Sequence, residues 1–259
     1  MLSKNKIKFI NSLKKKKNRI NKRLFIVEGE KIAYELFESS YRIKDVFATE
    51  SFIAELPKNK YSLIKELHSI TEEELQKISD LKNPNKVLAV VEIPDYIYSP
   101  EEIKNSLSLV LDRINDPGNL GTIIRTADWF GIKQIFCSAD SVDLYNPKVI
   151  QSTMGAFTRV RVFYKHLPDF LSNYQALDDF QIYGTFLEGN NIYSSALKNK
   201  GMIIMGSESH GISDELVDFI DQKLYIPPVT SDKKARKSES LNISVATGIV
   251  CSEFRKNSV

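Results

Sequence analysis

Residues 107–131 read LSLVLDRINDPGNLGTIIRTADWFG, and this stretch decides the fold class. Its first eight residues begin with the mostly apolar LSLVL and are predicted to form a strand. Pro117 and Gly118 then interrupt the extended pattern, and from Thr122 onward apolar side chains return at helical spacing. A buried strand that leads directly into a helix is the repeating unit of an α/β protein.

The same alternation of strand and helix continues to the C-terminus. Apolar runs predict further strands at 134–138, 159–164, 181–187, 202–207 and 223–226. Helical spacing predicts helices at 122–130, 147–157, 167–174, 214–220 and 242–256. This order is typical of a parallel sheet with helices on both faces, joined by right-handed crossovers. Residues 107–259 are therefore predicted to form one α/β domain.

A smaller α/β domain is predicted for residues 1–95. Strands are expected at 24–28, 43–48 and 87–93, and helices at 31–38 and 71–78. Pro94 and Pro100 flank a segment with little periodicity, which places a linker at 96–106.

The formal net charge of +3 conceals a local excess of positive charge. Residues 1–23 contain ten Lys and Arg and no acidic residue, whereas the other 236 residues carry a net charge of −7. Ile7, Ile10, Leu13 and Ile20 recur at helical spacing among these basic residues, which predicts a basic amphipathic helix. Contact with a nucleic acid backbone would release condensed counterions and so favour binding. A solvated helix face and an anionic membrane surface are the alternatives at this stage.

Several classes of protein are disfavoured. No apolar run approaches the roughly 18 residues that span a bilayer, and the N-terminus lacks the apolar core of a secretory signal. A soluble, cytoplasmic protein without membrane contact is therefore expected. Cys137 and Cys251 are far apart, which argues against a disulfide framework and a cysteine zinc site. His68, His166 and His210 are scattered, so no metal is expected, and neither G-x-G-x-x-G nor a P-loop is present.

Three loops after predicted strands carry polar residues of unusual type, at 116–125, 206–213 and 226–244. Ligands bind at the carboxyl ends of parallel strands, so these loops form the candidate site. Each loop also has an ordinary structural explanation, since Asn119 and Ser213 suit helix N-termini. Their conjunction, in this order and at these separations, favours a functional site.

Taken together, the three loops resemble the motifs of the SpoU (TrmH-like) branch of the SPOUT superfamily of RNA ribose 2′-O-methyltransferases. The motifs are similar to Asn119-x-Gly121-x-x-x-Arg125, to Gly206-x-Glu208-x-x-Gly211, and to Ile226-Pro followed by Ser240-Leu-Asn242. In the first region, FIVEGEK at 25–31 and NPNKVLAVV at 83–91 look like the RNA substrate-binding domain that many members carry.

The resemblance implies a deep trefoil knot in the C-terminal domain, bound S-adenosylmethionine and a homodimer. It implies a catalytic set of Arg125, Asn119, Glu208, Ser240 and Asn242, and a cofactor held by backbone groups around Gly206, Ile226 and Leu241. The expected reaction is methyl transfer to a ribose 2′-hydroxyl of RNA, with 23S rRNA as the favoured substrate. A tRNA substrate and an inactive RNA-binding module on the same scaffold are the alternatives.

Chemistry refines the role of each residue in this set. A guanidinium is a poor base because its pKa exceeds 12, so Arg125 is expected to clamp phosphate and stabilise the alkoxide. The other four polar residues would orient Arg125 and the ribose, and Glu208 either pairs with Arg125 or pins a loop. Gly206 either allows close approach to a ligand or serves an ordinary turn. Segment 228–239 is longer than in the family and is interpreted as a basic flap that touches RNA or as a tolerated insertion.

Overall fold

The computed structural model describes residues 1–175, 177–229 and 240–256, which divide into two compact units. The first unit contains Met1–Tyr96 and Asp143–Arg159, and the second contains the rest of the described chain. In chain order the elements are α1 (Lys4–Ser12), α2 (Lys16–Lys22), β1 (Leu24–Glu28), α3 (Glu30–Phe37), β2 (Ile43–Ala48), α4 (Glu50–Glu55), β3 (Ile64–Ser69), α5 (Glu72–Ile78), β4 (Val87–Glu92), α6 (Pro100–Lys104), β5 (Leu107–Leu111), α7 (Pro117–Trp129), β6 (Gln134–Ser138), α8 (Pro147–Thr153), β7 (Arg161–Lys165), α9 (Leu167–Ser172), β8 (Ile182–Phe186), β9 (Asn190–Asn191), β10 (Gly201–Met205), α10 (Asp214–Val217), β11 (Gln222–Tyr225) and α11 (Ile243–Arg255). Short 3₁₀ helices occupy Lys58–Leu63, Ala156–Thr158 and Ile192–Ser194.

The first unit is built on a four-stranded sheet in the order β1-β4-β2-β3. Strand β4 runs antiparallel to both of its neighbours, and β2 pairs with β3 in parallel. Helix α5 begins with the predicted cap, in which Thr71 and Glu74 exchange hydrogen bonds with each other's backbone amides. The sequence pattern does not predict β3, because this polar strand lies at the edge of the sheet and is only partly buried.

The predicted single basic helix near the N-terminus is wrong, since the structure has two helices with a break between Ser12 and Lys16. Arg19 is buried and donates hydrogen bonds to the carbonyl oxygens of Leu13 and Lys14, at 3.0 and 2.8 Å. Its guanidinium also pairs with Asp143 at 2.6 Å. Arg19 thereby satisfies backbone groups that a continuous helix would have used internally.

Residues 143–159 belong to the first unit, although they follow β6 of the second. Tyr145 packs on Phe25 with ring centroids 4.6 Å apart, and the Tyr41 hydroxyl donates to the carbonyl oxygen of Phe157. Periodicity places the start of α8 correctly at Pro147, but the helix ends at Thr153, before the predicted end at residue 157. The predicted domain boundaries of 1–95 and 107–259, however, assign this helix to the C-terminal domain.

The second unit contains a seven-stranded sheet in the order β7-β6-β5-β10-β8-β11-β9, and every neighbouring pair is parallel. The predicted α/β fold with a parallel sheet is confirmed. Strands β5 and β10 are buried along their whole length and place the loops that follow them side by side. The knot stays a prediction, because residues 230–239 of the segment that would form it lie outside the described residues.

Two helices that carry candidate residues begin with side-chain caps. Helix α7 begins at Pro117, earlier than predicted, because the Asp116 side chain accepts a hydrogen bond from the amide of Asn119 at 2.8 Å. Asn119 therefore lies within the first turn instead of capping it. Helix α11 follows Asn242, whose Oδ1 accepts from the amides of Ser244 and Val245. The two helices pack against each other.

Candidate active site

Residues from all three candidate loops meet in one hydrogen-bonded cluster. Oε1 of Glu208 accepts from Nδ2 of Asn242 at 2.5 Å and from Nδ2 of Asn119 at 3.3 Å. Nδ2 of Asn242 also donates to Oδ1 of Asn119 at 3.0 Å. We call these three residues the polar cluster. They come from α7, from the loop after β10 and from the start of α11, so only the tertiary fold brings them together.

Glu208 also links this cluster to the backbone of α11. Its Oε1 accepts a hydrogen bond from the amide of Ile243, the first residue of the helix, at 3.2 Å. A carboxylate at a helix N-terminus is stabilised by the unpaired amides and the helix dipole. Glu208 is expected either to pair with Arg125 or to pin a loop. None of its described contacts joins it to Arg125, so they support the second role.

Arg125 lies six residues after Asn119 on α7, and its side chain is exposed. Within the described part of the chain, the side chain of Arg125 has neither a hydrogen bond nor an ion pair. Thr122, Arg125 and Trp129 are all exposed and follow helical spacing, so they share one face of α7. The guanidinium is therefore accessible to an anionic ligand, while the expected orientation of Arg125 by the polar cluster stays a prediction.

A cavity of about 900 Å³ opens beside the polar cluster, at the carboxyl ends of β8, β10 and β11. It is lined by the three predicted cofactor residues, Gly206, Ile226 and Leu241, and by two residues of the predicted catalytic set, Glu208 and Ser240. Arg125, Asn119 and Asn242 do not line it.

Sequence reasoning missed other residues of the cavity wall. Thr185, Phe186 and Leu187 lie at the end of β8, and Tyr193 follows β9. The signal for the first three was available, because they end a predicted strand of the parallel sheet. His210 also lines the cavity, with its Nδ1 2.7 Å from Oγ of Ser209, although its isolated position in the sequence suggests only a structural or surface role.

Gly206 is required by the fold of its own loop. A Cβ at this position would lie 2.1 Å from the carbonyl carbon of Gly211 and 2.2 Å from the amide nitrogen of Ile212. Ser207 and Gly211 exchange backbone hydrogen bonds of 3.0 and 2.9 Å, which bring the two sides of this loop close together. Of the two explanations considered for Gly206, the described contacts support a role in the turn, because the atoms that a Cβ would meet belong to the same loop.

The cavity suits S-adenosylmethionine in size and in chemistry. Its volume falls within the range of roughly 300–1,000 Å³ that is usual for small-molecule sites. Its lining includes the aliphatic residues Ile226, Leu241 and Val250 and the hydroxyl-bearing residues Ser207 and Ser209. An aromatic heterocycle and a polar amino acid moiety can be accommodated by these two environments.

One cluster in the first unit has the residue types of a metal site. Ligand atoms of Asp45, Glu66 and His68 lie within 4.8 Å of one another. Nζ of Lys6 lies 2.7 Å from Oδ1 of Asp45 and 3.8 Å from Oε2 of Glu66, so an ammonium group already pairs with both carboxylates. Burial alone would raise the pKa of Asp45, but hydrogen bonds and charge from Lys6 and His68 outweigh it and lower the pKa.

Comparison with solved structures confirms the fold class. A TrmH-family protein from Porphyromonas gingivalis superposes with a TM-score of 0.86 at 34% identity, covering 99% of each chain. An rRNA methyltransferase from Sinorhizobium meliloti, solved with S-adenosylmethionine bound, gives a TM-score of 0.81 at 28% identity, covering 100% of this chain and 97% of that one. The fold and the site together define an α/β methyltransferase.

Sequence comparison identifies the family. Residues 106–252 match the SpoU rRNA methylase family, and residues 4–89 match the MRM3-like substrate binding domain. The chain is also 27% identical over 252 residues to the 23S rRNA (guanosine(2553)-2′-O)-methyltransferase RlmP of Bacillus subtilis, covering 96% of each. The chain belongs to the SpoU rRNA methylase family, as its three motifs predict. None of its described helices has the length and apolarity needed to cross a membrane.

Proposed function

We propose that this chain transfers a methyl group from S-adenosylmethionine to a ribose 2′-hydroxyl of ribosomal RNA. One observation carries the proposal: three distant motifs meet in the polar cluster, beside a cavity lined by Gly206, Ile226 and Leu241. Membership of the SpoU rRNA methylase family supports the enzyme class, the RNA substrate and the cofactor.

The cavity residues would hold the cofactor. Backbone groups around Gly206, Ile226 and Leu241 would bind its adenosine part, between the aliphatic wall and the loop after β10. When bound, S-adenosylmethionine supplies a methyl group activated by a sulfonium. The contribution of the chain is to place the ribose oxygen in line with that group, since positioning alone lowers such barriers by several kcal/mol.

Arg125 would act on the RNA side of the site. Its exposed guanidinium can hold a phosphate of the substrate and stabilise negative charge as it develops on the ribose oxygen. A guanidinium stays protonated, so the proton of the hydroxyl goes to a neighbouring group or to water. The polar cluster and Ser240 would orient the ribose beside it.

Large-subunit rRNA is the substrate that we favour. The RlmP relative, which matches almost from end to end, is named for a guanosine of 23S rRNA, and the first unit matches a substrate binding domain. The exposed lysines of α1 and α2 would add affinity for the RNA backbone. The cytoplasm is the compartment that this substrate implies.

A homodimer forms part of the proposal. Helices α7 and α11 pack together and expose the large apolar side chains of Trp129 and Val245. Exposed apolar groups on neighbouring elements favour association with another protein surface. A second copy of the chain would cover them.

The decisive experiment offers the purified protein labelled S-adenosylmethionine with 23S rRNA or with tRNA. Label should enter 23S rRNA at one nucleotide whose ribose then resists alkaline cleavage, and Arg125→Ala should abolish incorporation. Incorporation into tRNA alone would reassign the substrate. Cofactor binding in calorimetry without methylation of either RNA would instead indicate an inactive RNA-binding module.

A further inference from the structure

Asp112 holds both ends of the loop that carries Glu208. Residues 206–213 form this loop, which we call the motif-2 loop. The amide of Asp112 donates to the carbonyl oxygen of Met205, immediately before the loop, at 3.0 Å. Its Oδ2 accepts from the amide and from the hydroxyl of Ser213, the last residue of the loop, at 2.7 and 2.5 Å.

The surroundings of Asp112 make these contacts strong. The residue is 2% exposed, and hydrogen bonds to a buried carboxylate are shorter and stronger than those between neutral groups. Nε of Arg113 lies 3.4 Å from Oδ1, the other carboxylate oxygen. Arg113 has a φ of 56°, so the chain turns sharply after Asp112, and its amide donates to Oγ of Ser138.

The motif-2 loop connects this buried anchor to the site. Ser207 and Gly211 pair within the loop, which leaves Glu208 at its tip. Glu208 then joins Asn119, Asn242 and the amide of Ile243. Gly206, Ser207 and Ser209 of the same loop line the cavity. A displacement at Ser213 would therefore move the polar cluster and the cavity wall together.

We infer that Asp112 is a positioning residue for methyl transfer, which acts through Ser213 to fix the motif-2 loop and thereby the placement of Glu208. This inference rests on the proposed methyltransferase function. Asp112 does not line the cavity and forms no hydrogen bond with the three members of the polar cluster. Its effect on the reaction is through the geometry of the loop.

Ser213→Ala tests the inference, because it removes the hydroxyl donor and keeps the amide donor. We expect kcat to fall about tenfold, as the loss of one hydrogen bond to a charged group would give. The affinity for S-adenosylmethionine should also fall, whereas KM for RNA should stay within about twofold, since no RNA contact is removed. Ser213→Thr keeps the hydroxyl and should restore kcat.

Asp221→Ala is a matched control. Asp221 also accepts a hydrogen bond from a backbone amide, that of Ile182 at 2.8 Å. This bond lies at the start of β8, whereas the cavity lies at the carboxyl end of that strand. This variant should lower the melting temperature without changing kcat or cofactor affinity.

If Ser213→Ala fails to fold, Asp112→Asn, which conserves volume, takes its place with the same expected result.

Hydrogen exchange of the Ile243 amide reports the position of Glu208 without relying on activity. Faster exchange at Ile243 in Ser213→Ala than in Asp221→Ala supports the inference. Unchanged exchange together with unchanged kcat and cofactor affinity would overturn it, even if the melting temperature falls. A wild-type protein that methylates no RNA would overturn the proposed function, while the exchange comparison would still decide the role of Asp112.

Discussion

Nδ2 of Asn242 lies 2.5 Å from Oε1 of Glu208, although 34 residues separate them along the chain. Asn242 uses its two side-chain ends for different tasks. Oδ1 caps α11, and Nδ2 donates to the carboxylate. The same side chain therefore begins a helix and completes the site.

Asn242→Asp should separate these two tasks. Aspartate caps a helix about as well as asparagine, so the melting temperature should change little at acidic pH, where one of the two carboxyl groups is protonated, and should fall at pH 8. The new carboxylate would face Glu208 at hydrogen-bonding distance, and two carboxylates in one site raise the pKa of one of them. Methyl transfer at pH 8 should fall at least tenfold, and activity relative to wild type should rise as the pH is lowered. Asn242→Ala, which loses both tasks, should show no such recovery.

Arg125→Ala should abolish methyl transfer and leave the affinity for S-adenosylmethionine unchanged. Arg125 does not line the cavity, so calorimetry should give the wild-type affinity. By analogy with removal of an oxyanion donor, kcat should fall by about 10²–10³. Arg125→Lys keeps the charge but not the forked geometry and should retain part of the rate. Loss of cofactor binding in Arg125→Ala would contradict the assignment to the RNA side.

The exposed lysines of α1 and α2 should produce salt-dependent RNA affinity. Four of the ten basic residues in 1–23 are paired with acids: Lys6 with Asp45, Lys14 with Asp80, Arg19 with Asp143 and Arg23 with Asp95. The other six are exposed: Lys4, Lys8, Lys15, Lys16, Lys17 and Lys22. Deletion of residues 1–23 would also remove core side chains, including Ile10 and Leu13. Point substitutions are therefore the cleaner test.

Replacing Lys16 and Lys17 with Gln should flatten the slope of log affinity against log salt. Each lost phosphate contact lowers its magnitude by about 0.7–0.9. Lys104 and Lys133 are exposed in the second unit, and replacing them removes the same charge. This control pair should leave the slope unchanged. Equal slopes for the two double variants would show that Lys16 and Lys17 of α2 do not contact the RNA backbone.

Asp45 should make the stability of the first unit depend on pH under acidic conditions. The pKa of Asp45 is lowered in the folded state, so its contribution is present above the ordinary value of 3.8 and is lost as the pH falls through the folded value. At pH 7, Asp45→Asn should unfold at a lower urea concentration than wild type. Below about pH 4, the difference between the two urea midpoints should become smaller. A midpoint difference that stays constant between pH 7 and pH 3 would show that the ion pair contributes nothing.

Trp129→Glu should convert the proposed dimer into a monomer. The Trp129 side chain is 85% exposed on α7, and a charge there would be costly to bury in an interface. Ile97 is 88% exposed and lies outside α7 and α11, so Ile97→Glu is a matched control. Light scattering at micromolar concentration should give a dimeric mass for wild type and Ile97→Glu. A monomeric wild type would contradict the dimer.

Some features were readable in the sequence because they are local. Strands β5, β6 and β10 are mostly apolar runs, and the capping box of α5 spans only four residues. The start of α7 was harder to predict. Asn119 and Asp116 are both good caps, and only the hydrogen bond between them shows which one begins the helix.

The sequence by itself determined the parallel α/β fold, the family and the residues of the three motifs. The tertiary structure alone decided how those residues meet and which basic residues near the N-terminus are paired with acids. Arg19 reads as one more basic residue, yet it is buried and pairs with Asp143, 124 residues away. Asp112 and Ser213 are 101 residues apart and share two hydrogen bonds. The physical reason is the same in both cases: periodicity reports which face of an element is buried, whereas pairing between distant polar groups depends on how the elements pack.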